Sequence, residues 1–223
     1  MTLNSGMDIS NIKNKLAEYK AEGKKVFATS SFQSHSIPML HIISRIDKSI
    51  PVYFLNTGFL FPATIEFKDR IANDFGLEII GLESDTPKIH QLDVKGQLMY
   101  VADPDYCCYL NKVKPLEPIL MQYDVWVNGI RADQNENRKN MSVEQDASFD
   151  SKRYHPMLKW SSKDIYQYIK EFDLPAHPLE KTGYLSIGCE PCTRIIQDGG
   201  NERNARWFGL NKTECGLHTE LVK

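Results

Sequence analysis

Short apolar segments alternate with helix-like segments through the first half of the chain, and this alternation constrains the fold more than any other feature. Runs rich in Val, Ile, Phe and Leu predict buried strands at 25–28, 51–55, 77–82 and 124–130. Apolar residues three and four positions apart predict a helix at 9–22, and prolines in the first turn predict helices at 37–46 and 62–75, the second ended by Gly76. This order is typical of a parallel sheet that binds ligands beyond the carboxyl ends of its strands. We therefore expect an α/β fold with an open, mostly parallel sheet and helices on both faces.

The second half of the chain predicts fewer regular elements. The segment 104–122 is helix-like, but its two prolines are expected to break or kink the helix. A further short strand is predicted at 154–158. Ser161 and Asp164 have the spacing of a capping box, which predicts the start of a helix at 165–172. The remainder of the chain is predicted to be rich in loops.

Composition excludes several classes of partner. With 223 residues and a net charge of -2, the chain has no broadly basic surface, so we do not expect nucleic acid as a partner. No apolar run approaches the roughly 18 residues that a membrane-spanning helix needs, and residues 1–25 do not resemble a signal peptide. We therefore expect no membrane association and a cytoplasmic location.

The loop after the first predicted strand is rich in hydroxyl groups, from Ser30, Ser31, Ser34 and Ser36. A helix is predicted to start directly after this loop, and the N-terminus of a helix offers unpaired N–H groups to an anion. The loop is therefore a candidate phosphate site. An ordinary cluster of helix caps explains the same serines, because Ser is a preferred cap residue.

Two further polar loops follow predicted strands. The loop after 51–55 contains Asn56, Thr57 and Gly58, and the loop after 124–130 contains Arg131 and Arg138. Arginines at a strand end would suit an anionic ligand. Surface salt bridges are the simpler interpretation of either arginine taken alone.

Four of the five cysteines form two pairs. Cys189 and Cys192 form a CxxC, whereas Cys107 and Cys108 are adjacent. Adjacent side chains on a helix point apart, so a vicinal pair fits one zinc ion poorly and fits a cluster with a separate iron for each thiolate better. Zinc, or a redox-active CxxC beside two buried thiols, remains an alternative on spacing alone.

The fifth cysteine, Cys215, lies in a polar tail between Lys212 and His218. A nearby cation or imidazole lowers the pKa of a thiol and increases its thiolate fraction. Cys215 is therefore a candidate nucleophile, and Gly216 gives the segment freedom to fold over a pocket. The alternative is a tail cysteine without a role.

Taken together, these motifs resemble those of assimilatory adenylyl-sulfate reductases, the iron–sulfur, thioredoxin-dependent branch of the 3′-phosphoadenylyl-sulfate reductase family. The likeness includes the Cys-Cys pair, Gly-Tyr-Leu-Ser-Ile-Gly-Cys-Glu-Pro-Cys-Thr at 183–193 and Glu-Cys-Gly-Leu-His at 214–218. The loops after the second and fourth predicted strands are also similar. The resemblance covers about Val26 to His218 and implies a fold like that of the adenine nucleotide alpha-hydrolases.

The resemblance implies a role for each candidate residue. A [4Fe–4S] cluster would be bound by the four paired cysteines, Cys107, Cys108, Cys189 and Cys192. Cys215 would attack the sulfate sulfur of adenylyl sulfate, so that AMP leaves and an S-sulfocysteine remains. Thioredoxin or a glutaredoxin-like reductant would then release sulfite. The other residues with implied roles in catalysis or phosphosulfate binding are Lys112, Arg203, Arg206 and His218.

We also expect two units in the chain, a nucleotide-binding α/β domain with the iron–sulfur site over 1–193 and a C-terminal catalytic extension over 194–223. A homo-oligomer is a further expectation. One departure from the family concerns the substrate: the serine loop lacks the carboxylate that is usual there, and Asn56 stands where an aspartate is usual. The 3′-phosphorylated nucleotide therefore stays an alternative substrate.

Two other functions compete with reduction of adenylyl sulfate. A nucleotide pyrophosphatase of the RNA-thiolating kind would be expected to carry a Ser-Gly-Gly-x-Asp-Ser loop, which this sequence lacks. A non-catalytic nucleotide-binding module held together by zinc would make the Glu-Cys-Gly-Leu-His tail incidental. Iron content and the behaviour of Cys215 distinguish these functions from a reductase.

Overall fold

The computed structural model describes residues 8–195, 205–210, 212, 214–219 and 221. Its centre is a six-stranded sheet in the order β3-β2-β1-β4-β6-β5. The strands are β1 (Val26–Thr29), β2 (Val52–Leu55), β3 (Ile79–Leu82), β4 (Val125–Asn128), β5 (Glu144–Asp146) and β6 (Lys152–Tyr154). All neighbouring strands pair in parallel except β5, which runs antiparallel to β6. The α/β fold and the mostly parallel sheet are therefore confirmed.

Eight α-helices surround the sheet in the part of the chain that the structure describes. They are α1 (Ile9–Ala21), α2 (Ile37–Ile46), α3 (Pro62–Phe75), α4 (Met99–Ala102), α5 (Pro104–Cys108), α6 (Lys114–Leu120), α7 (Glu136–Lys139) and α8 (Ser162–Glu171). None of these helices combines the length and the apolar character that crossing a membrane requires. Shorter 3₁₀ turns connect several of them.

Helices cover both faces of the sheet, as the sequence predicted. On one face Ala28, Val52 and Val127 pack against apolar side chains of α1, α2, α3 and α8. On the other face Phe27, Tyr53 and Trp126 pack against α6, and Leu221 near the chain end joins this second core at 2% exposure. The two cores use alternate residues of the same strands, because successive side chains of a strand point to opposite faces.

Helix ends follow the local signals of the sequence. Pro38 lies in the first turn of α2, and Pro62 is the first residue of α3. Gly76 ends α3 in the left-handed conformation at φ +62, which L side chains rarely adopt. The capping box of Ser161 and Asp164 is present and begins α8.

The predicted helix over 104–122 is continuous to Leu120, but its middle is widened. Residues Tyr109–Val113 form a π-helical stretch between α5 and α6. Pro115 lacks the N–H that would bond the carbonyl four residues back, so the chain takes a wider turn instead of breaking. The prolines therefore change the helix register without ending the helix.

The strand predicted at 154–158 was wrong beyond its first residue. The strand ends at Tyr154, and 155–158 form a turn in which Leu158 N donates to His155 O at 3.1 Å. Pro156 cannot donate to a ladder, which ends the strand. Prediction also missed β5 and placed β6 too late, because Lys152 and Arg153 are charged and gave no apolar pattern.

His155 follows β6 and is fully buried, with its Nδ1 donating to the carbonyl of Ser142 at 2.8 Å. Burial lowers the pKa of His155 to about 4, and the charge of Arg153 acts in the same direction. The unfolded chain therefore binds a proton here at a higher pH than the folded chain does. This contribution to stability is complete above the ordinary pKa of His and is lost as pH falls toward 4.

Lowering the pH from 7 to 5 should reduce the free energy of unfolding of the wild-type protein by about 2 kcal/mol more than that of the His155→Gln variant. Urea unfolding at both pH values measures the difference. The exposed His90→Gln variant is the control and should follow the wild-type protein. Equal pH dependence in the His155 variant and the wild type would contradict the argument.

Candidate active site

A large cavity, the main cavity below, lies at the carboxyl ends of β1, β2 and β4, where a parallel sheet is expected to bind its ligand. It encloses about 1100 Å³ counted out to its open mouth. Side chains from the loop after β1, from the helical segment around Lys112 and from the C-terminal tail line it together. Residues that are far apart in the sequence therefore meet over one strand edge.

The serine loop divides into residues that line the cavity and one that does not. Ser30, Ser31 and Ser36 line the cavity, and the hydroxyls of Ser31 and Ser36 lie 3.0 Å apart. Ser34 is buried, donates to Glu180 and accepts from the His177 N–H at 2.9 Å. The structure thus gives Ser34 a role in joining the loop to the segment before the CxxC, so three hydroxyls remain for a ligand.

In the loop after β2, Thr57 contacts the cysteines. It lies in both the main cavity and the cysteine cavity described below, with its Oγ1 3.3 Å from Cys189 Sγ. Asn56 donates to Glu83 at 2.6 Å, and the Gly58 carbonyl accepts from Lys88 at 3.2 Å. Neither Asn56 nor Gly58 lines the main cavity. Both instead shape the turn that presents Thr57.

All four paired cysteines line a second, smaller cavity next to the first one. Cys107 and Cys108 come from the C-terminal end of α5. Cys189 precedes a 3₁₀ turn at Glu190–Cys192, and Cys192 is the last residue of that turn. That turn is held to the loop after β2, because Glu190 N donates to Phe59 O at 2.7 Å. The two halves of the predicted metal site are therefore brought together.

Besides the contact of Thr57 with Cys189, a polar group reaches Cys107. Asn111 Nδ2 lies 3.6 Å from Cys107 Sγ and also donates to the Cys107 carbonyl at 2.9 Å. Burial, together with the nearby Cys189, raises the pKa of Cys107 to about 11. Such closely packed thiols become stable thiolates only with a compensating positive charge.

The four cysteines supply the donors that a metal cluster needs. Four thiolates are the usual ligand set of a [4Fe–4S] cluster, and all four side chains line one cavity. The donor set and its cavity therefore fit an iron–sulfur cluster.

Lys112 lies one helical turn after Cys108 and lines both cavities. Burial alone would lower the pKa of Lys112, but the thiols of Cys189, Cys215 and Cys108 outweigh burial and raise it. The side chain is therefore a firmly charged cation between the four cysteines and the main cavity.

Cys215 lines the main cavity beside Cys108 and Lys112. A hydrogen bond from the Cys108 thiol lowers the pKa of Cys215 well below its usual range; burial opposes this shift, and Lys112 supports it. The Leu217 N–H also donates to the sulfur. Cys108 would lose this proton on binding iron, but Lys112 and the Leu217 N–H still favour the Cys215 thiolate, so Cys215 stays a candidate nucleophile.

A buried ion pair fixes the segment that carries Cys215. Glu214 accepts from Arg138 Nε at 2.8 Å and from Arg138 Nη2 at 3.0 Å, and it also accepts from Asn135 at 2.8 Å. Both charged side chains are less than one-tenth exposed. The same carboxylate accepts from the Cys215 N–H at 2.8 Å. Arg138 therefore serves the tail in this structure, although it also lines the cavity.

A second contact positions His218. Arg153 donates to the Leu217 carbonyl at 3.2 Å and to His218 Nδ1 at 2.5 Å, while its guanidinium lies 4.5 Å from the ring centroid of Trp126. Since arginine has no acceptor, His218 Nδ1 accepts and its proton lies on Nε2. His218 lines the main cavity and stacks parallel to Trp126.

Arg206 enters the main cavity from the strand-like segment after the CxxC. Trp207 N donates to Cys192 O at 3.0 Å and Arg194 N donates to Ala205 O at 3.0 Å, so this segment pairs with the CxxC turn. The Arg206 guanidinium lies where a side chain at Gly188 would be, so a larger residue there would displace the guanidinium from this position. Arg203 lies outside the described residues.

Arg131 is separated from the cavity. Its Nε donates to Asp133 at 3.0 Å and its Nη2 donates to Ser162 at 3.0 Å, so it links the loop after β4 to the start of α8. It is 1% exposed and does not line the main cavity. Its role in substrate binding therefore stays a prediction without a geometric basis in this structure.

Sequence reasoning overlooked several residues that build the site. Arg153 was overlooked because no motif contains it, and Gly188 and Glu214 were noted only as parts of motifs. Trp126 and Asn128 were counted as ordinary members of a strand. A polar residue at the end of an apolar strand was the one available signal for Asn128.

Comparison with known proteins gives consistent results. A family described as phosphoadenosine phosphosulfate reductase domain matches residues 25–195. An adenosine 5′-phosphosulfate reductase of Bacillus mycoides (strain KBAB4) is 36% identical over 203 residues, which cover 90% of this chain and 86% of that protein. One of Chelativorans sp. (strain BNC1) is 39% identical over 195 residues, covering 86% of this chain and 78% of that protein.

Solved structures show the same fold at low identity. A phosphoadenylyl-sulfate reductase from Candida auris superposes with a TM-score of 0.64 at 18% identity, covering 88% of this chain and 99% of that chain. An FMN adenylyltransferase from Candida glabrata superposes with a TM-score of 0.61 at 14% identity, covering 89% of this chain and 71% of that chain. These likenesses confirm the α/β fold with its mostly parallel sheet.

The buried Arg138–Glu214 pair generates a test of tail anchoring. In the Glu214→Gln variant the Arg138 charge loses its partner, and breaking such a pair costs several kcal/mol. We expect the amides of 214–219 to exchange with deuterium about tenfold faster or more. Glu136→Gln, an exposed carboxylate on α7, is the matched control. Unchanged exchange in the Glu214 variant would show that the tail is held by other contacts.

Proposed function

Because this chain belongs to the phosphoadenosine phosphosulfate reductase family, we propose that the enzyme reduces adenylyl sulfate, also called adenosine 5′-phosphosulfate, to sulfite and AMP. The observation that supports this proposal best is the meeting of Cys215, Lys112 and Arg206 on one cavity. A nucleophilic thiol flanked by two cations is the arrangement that attack on an anionic sulfate ester needs. The reaction serves sulfate assimilation.

The first step is a sulfonyl transfer to the tail cysteine. The Cys215 thiolate attacks the sulfate sulfur, a bond forms between the two sulfur atoms, and the bond from sulfur to the bridging oxygen breaks. AMP leaves with that oxygen and its electron pair, and S-sulfocysteine remains. Negative charge grows on the leaving phosphate, so Lys112 and Arg206 stabilise the transition state more than the ground state.

The cavity also provides for the phosphate and for the tail. Ser30, Ser31 and Ser36 offer hydroxyl donors to the phosphate near the N-terminal end of α2. The anchored tail holds Cys215 beside the phosphosulfate before reaction, which reduces the entropic cost of attack. His218, held by Arg153, offers an Nε2 proton to an oxygen of the substrate.

The second step requires a dithiol such as thioredoxin or a glutaredoxin-like protein. Its thiolate attacks Cys215 Sγ, the bond between the sulfurs breaks, and sulfite leaves with the electron pair. The second thiol of the reductant then releases Cys215 and forms a disulfide. The sulfur of sulfate gains two electrons, and the dithiol loses them. Cys215 lies on a half-buried tail segment, so opening of the tail would expose it to the reductant.

We further propose that Cys107, Cys108, Cys189 and Cys192 hold a [4Fe–4S] cluster. When bound, the cluster would orient Lys112 and adjust the electrostatic field at the phosphosulfate without any change of oxidation state. The thiols next to Lys112 leave its amine charged and directed between the two cavities. A cytoplasmic location, a homo-oligomer and the division at residue 193 stay predictions.

Two observations bear on whether the substrate carries a 3′-phosphate, and they point in opposite directions. The serine loop has no carboxylate to repel a 3′-phosphate. The relatives of Bacillus and Chelativorans, however, are named for the nucleotide without it. We propose adenylyl sulfate as the substrate. Parallel turnover measurements on both nucleotides test this choice, and a higher kcat/KM for the 3′-phosphorylated form would overturn it.

The proposed cluster predicts the metal content of the protein. Anaerobically purified protein should be brown and contain about four iron atoms per chain. Cys107→Ser and Cys192→Ser should each lose most of this iron, since each removes one ligand. Cys215→Ser is the matched control and should retain iron and colour. Colourless wild-type protein that contains zinc would refute the cluster.

The covalent step predicts a modified enzyme. When wild-type protein is mixed with adenylyl sulfate without reductant, about one AMP should be released per chain. The protein should gain the mass of one sulfonate group at Cys215. The Cys215→Ser variant should do neither while keeping its iron. Turnover by this variant at the wild-type rate would remove Cys215 from the mechanism.

A further inference from the structure

Asn128 is the last residue of β4, and its position in the sheet places it at the centre of the site. Its Cα is paired in register with that of Thr29, the last residue of β1. β1 lies between β2 and β4, so the sheet order reverses direction here. In sheets of this kind the crevice at the reversal is where ligands bind.

The Asn128 side chain is buried and has no hydrogen-bond partner among the residues that the structure describes. It is 3% exposed and lines the main cavity. Within the part of the chain that the structure describes, neither Oδ1 nor Nδ2 is bonded. A buried amide that stays unpaired costs about 1–3 kcal/mol for each group, so such a residue needs an explanation.

Several neighbouring polar groups already have partners. Trp126 lies on the same face of β4 as Asn128, and its Nε1 donates to Thr29 Oγ1 at 2.7 Å. On the next strand, Arg153 donates to His218 and to the Leu217 carbonyl, and among the described residues only its Nε is left without a partner. Because Asn128 lines the main cavity, a ligand bound there can supply both the donor and the acceptor that its amide needs.

We propose that Asn128 is a substrate-binding residue that recognises the nucleoside part of the bound nucleotide. The amide has one acceptor and two donor hydrogens, so the ligand group that satisfies it must both donate and accept. Phosphate and sulfate oxygens only accept, and they would leave Oδ1 buried without a partner. In adenylyl sulfate, which the proposed function supplies as the ligand, the groups that donate are the two ribose hydroxyls and the adenine amino group.

This assignment separates two kinds of recognition within one cavity. Lys112 and Arg206 hold the charged phosphosulfate, where the bonds change. Asn128 reads a neutral group and so sets the position of the nucleoside relative to the tail. A ribose hydroxyl pair and the amino edge of adenine present the same chemistry to an amide, and nucleotide analogues distinguish them.

The test measures AMP binding to anaerobically purified wild-type, Asn128→Ala and Asn128→Asp proteins by calorimetry. We expect both variants to bind AMP about tenfold more weakly or worse, since each loses at least one of the two kinds of bond. Asn128→Asp keeps the shape of the side chain and serves if the alanine variant fails to fold. Asn140→Ala, an exposed amide after α7, is the control and should bind AMP with wild-type affinity.

Analogues then identify the group that Asn128 contacts. These are 2′-deoxy-AMP, 3′-deoxy-AMP and purine riboside 5′-monophosphate, which lacks the amino group. The wild-type protein should bind the analogue without the partner group about tenfold more weakly than AMP, whereas Asn128→Ala should barely distinguish the two. Weaker binding of a deoxy analogue assigns the ribose, and weaker binding of the purine analogue assigns the base.

Two outcomes would overturn the inference, and they are distinguishable. The first outcome is that wild-type protein and the Asn128 variants bind AMP with equal affinity, or that each analogue lowers the affinity of both by the same factor. Asn128 then does not recognise the nucleoside. If wild-type protein binds no AMP, the proposed function fails together with this inference.

Discussion

The backbone hydrogen bonds that join β2, β1 and β4 in parallel bring three strand ends to one edge of the sheet. Each end continues into a polar loop, because the interior of the sheet has no place for the polar groups of a turning chain. The serine loop, Thr57 and Asn128 all occupy that edge. Every other part of the site is built against this rigid platform, including the helical segment with Lys112 and the tail with Cys215.

The two cavities share residues, and this sharing links the cysteines to the chemistry. Thr57, Lys112 and Cys189 line both of them. Negative charge on the thiols therefore interacts electrostatically with Lys112, whose side chain also lines the main cavity. The interaction is strengthened because the effective dielectric constant there is well below that of water. The tail completes the arrangement, because Glu214 pairs with Arg138 on the loop after β4 and Cys215 follows it directly.

Much of the fold could be predicted because it depends on local patterns. The bounds of α2 and α3 follow from prolines at their starts and from Gly76, and the four apolar runs became β1 to β4. β5 and the start of β6 escaped prediction because they carry charged residues and no apolar pattern. The charged residues of β5 are exposed, whereas Arg153 of β6 is buried with distant partners in Trp126 and His218. The π-helical stretch escaped for a similar reason, since proline can break a helix or widen it and the surrounding packing decides which.

The sequence by itself determined the α/β class, the pairing of four cysteines apart from a fifth, and the chemistry that each candidate side chain can offer, because these depend on residue type and spacing. Only the tertiary structure decided which of them act together. It assigned Ser34 to Glu180, Arg131 to Asp133 and Arg138 to Glu214, and it left the buried amide of Asn128 facing the cavity without a partner among the described residues. The physical reason is that a polar side chain takes whichever partner burial brings within hydrogen-bond distance, and neither burial nor distance across the fold is written in local sequence.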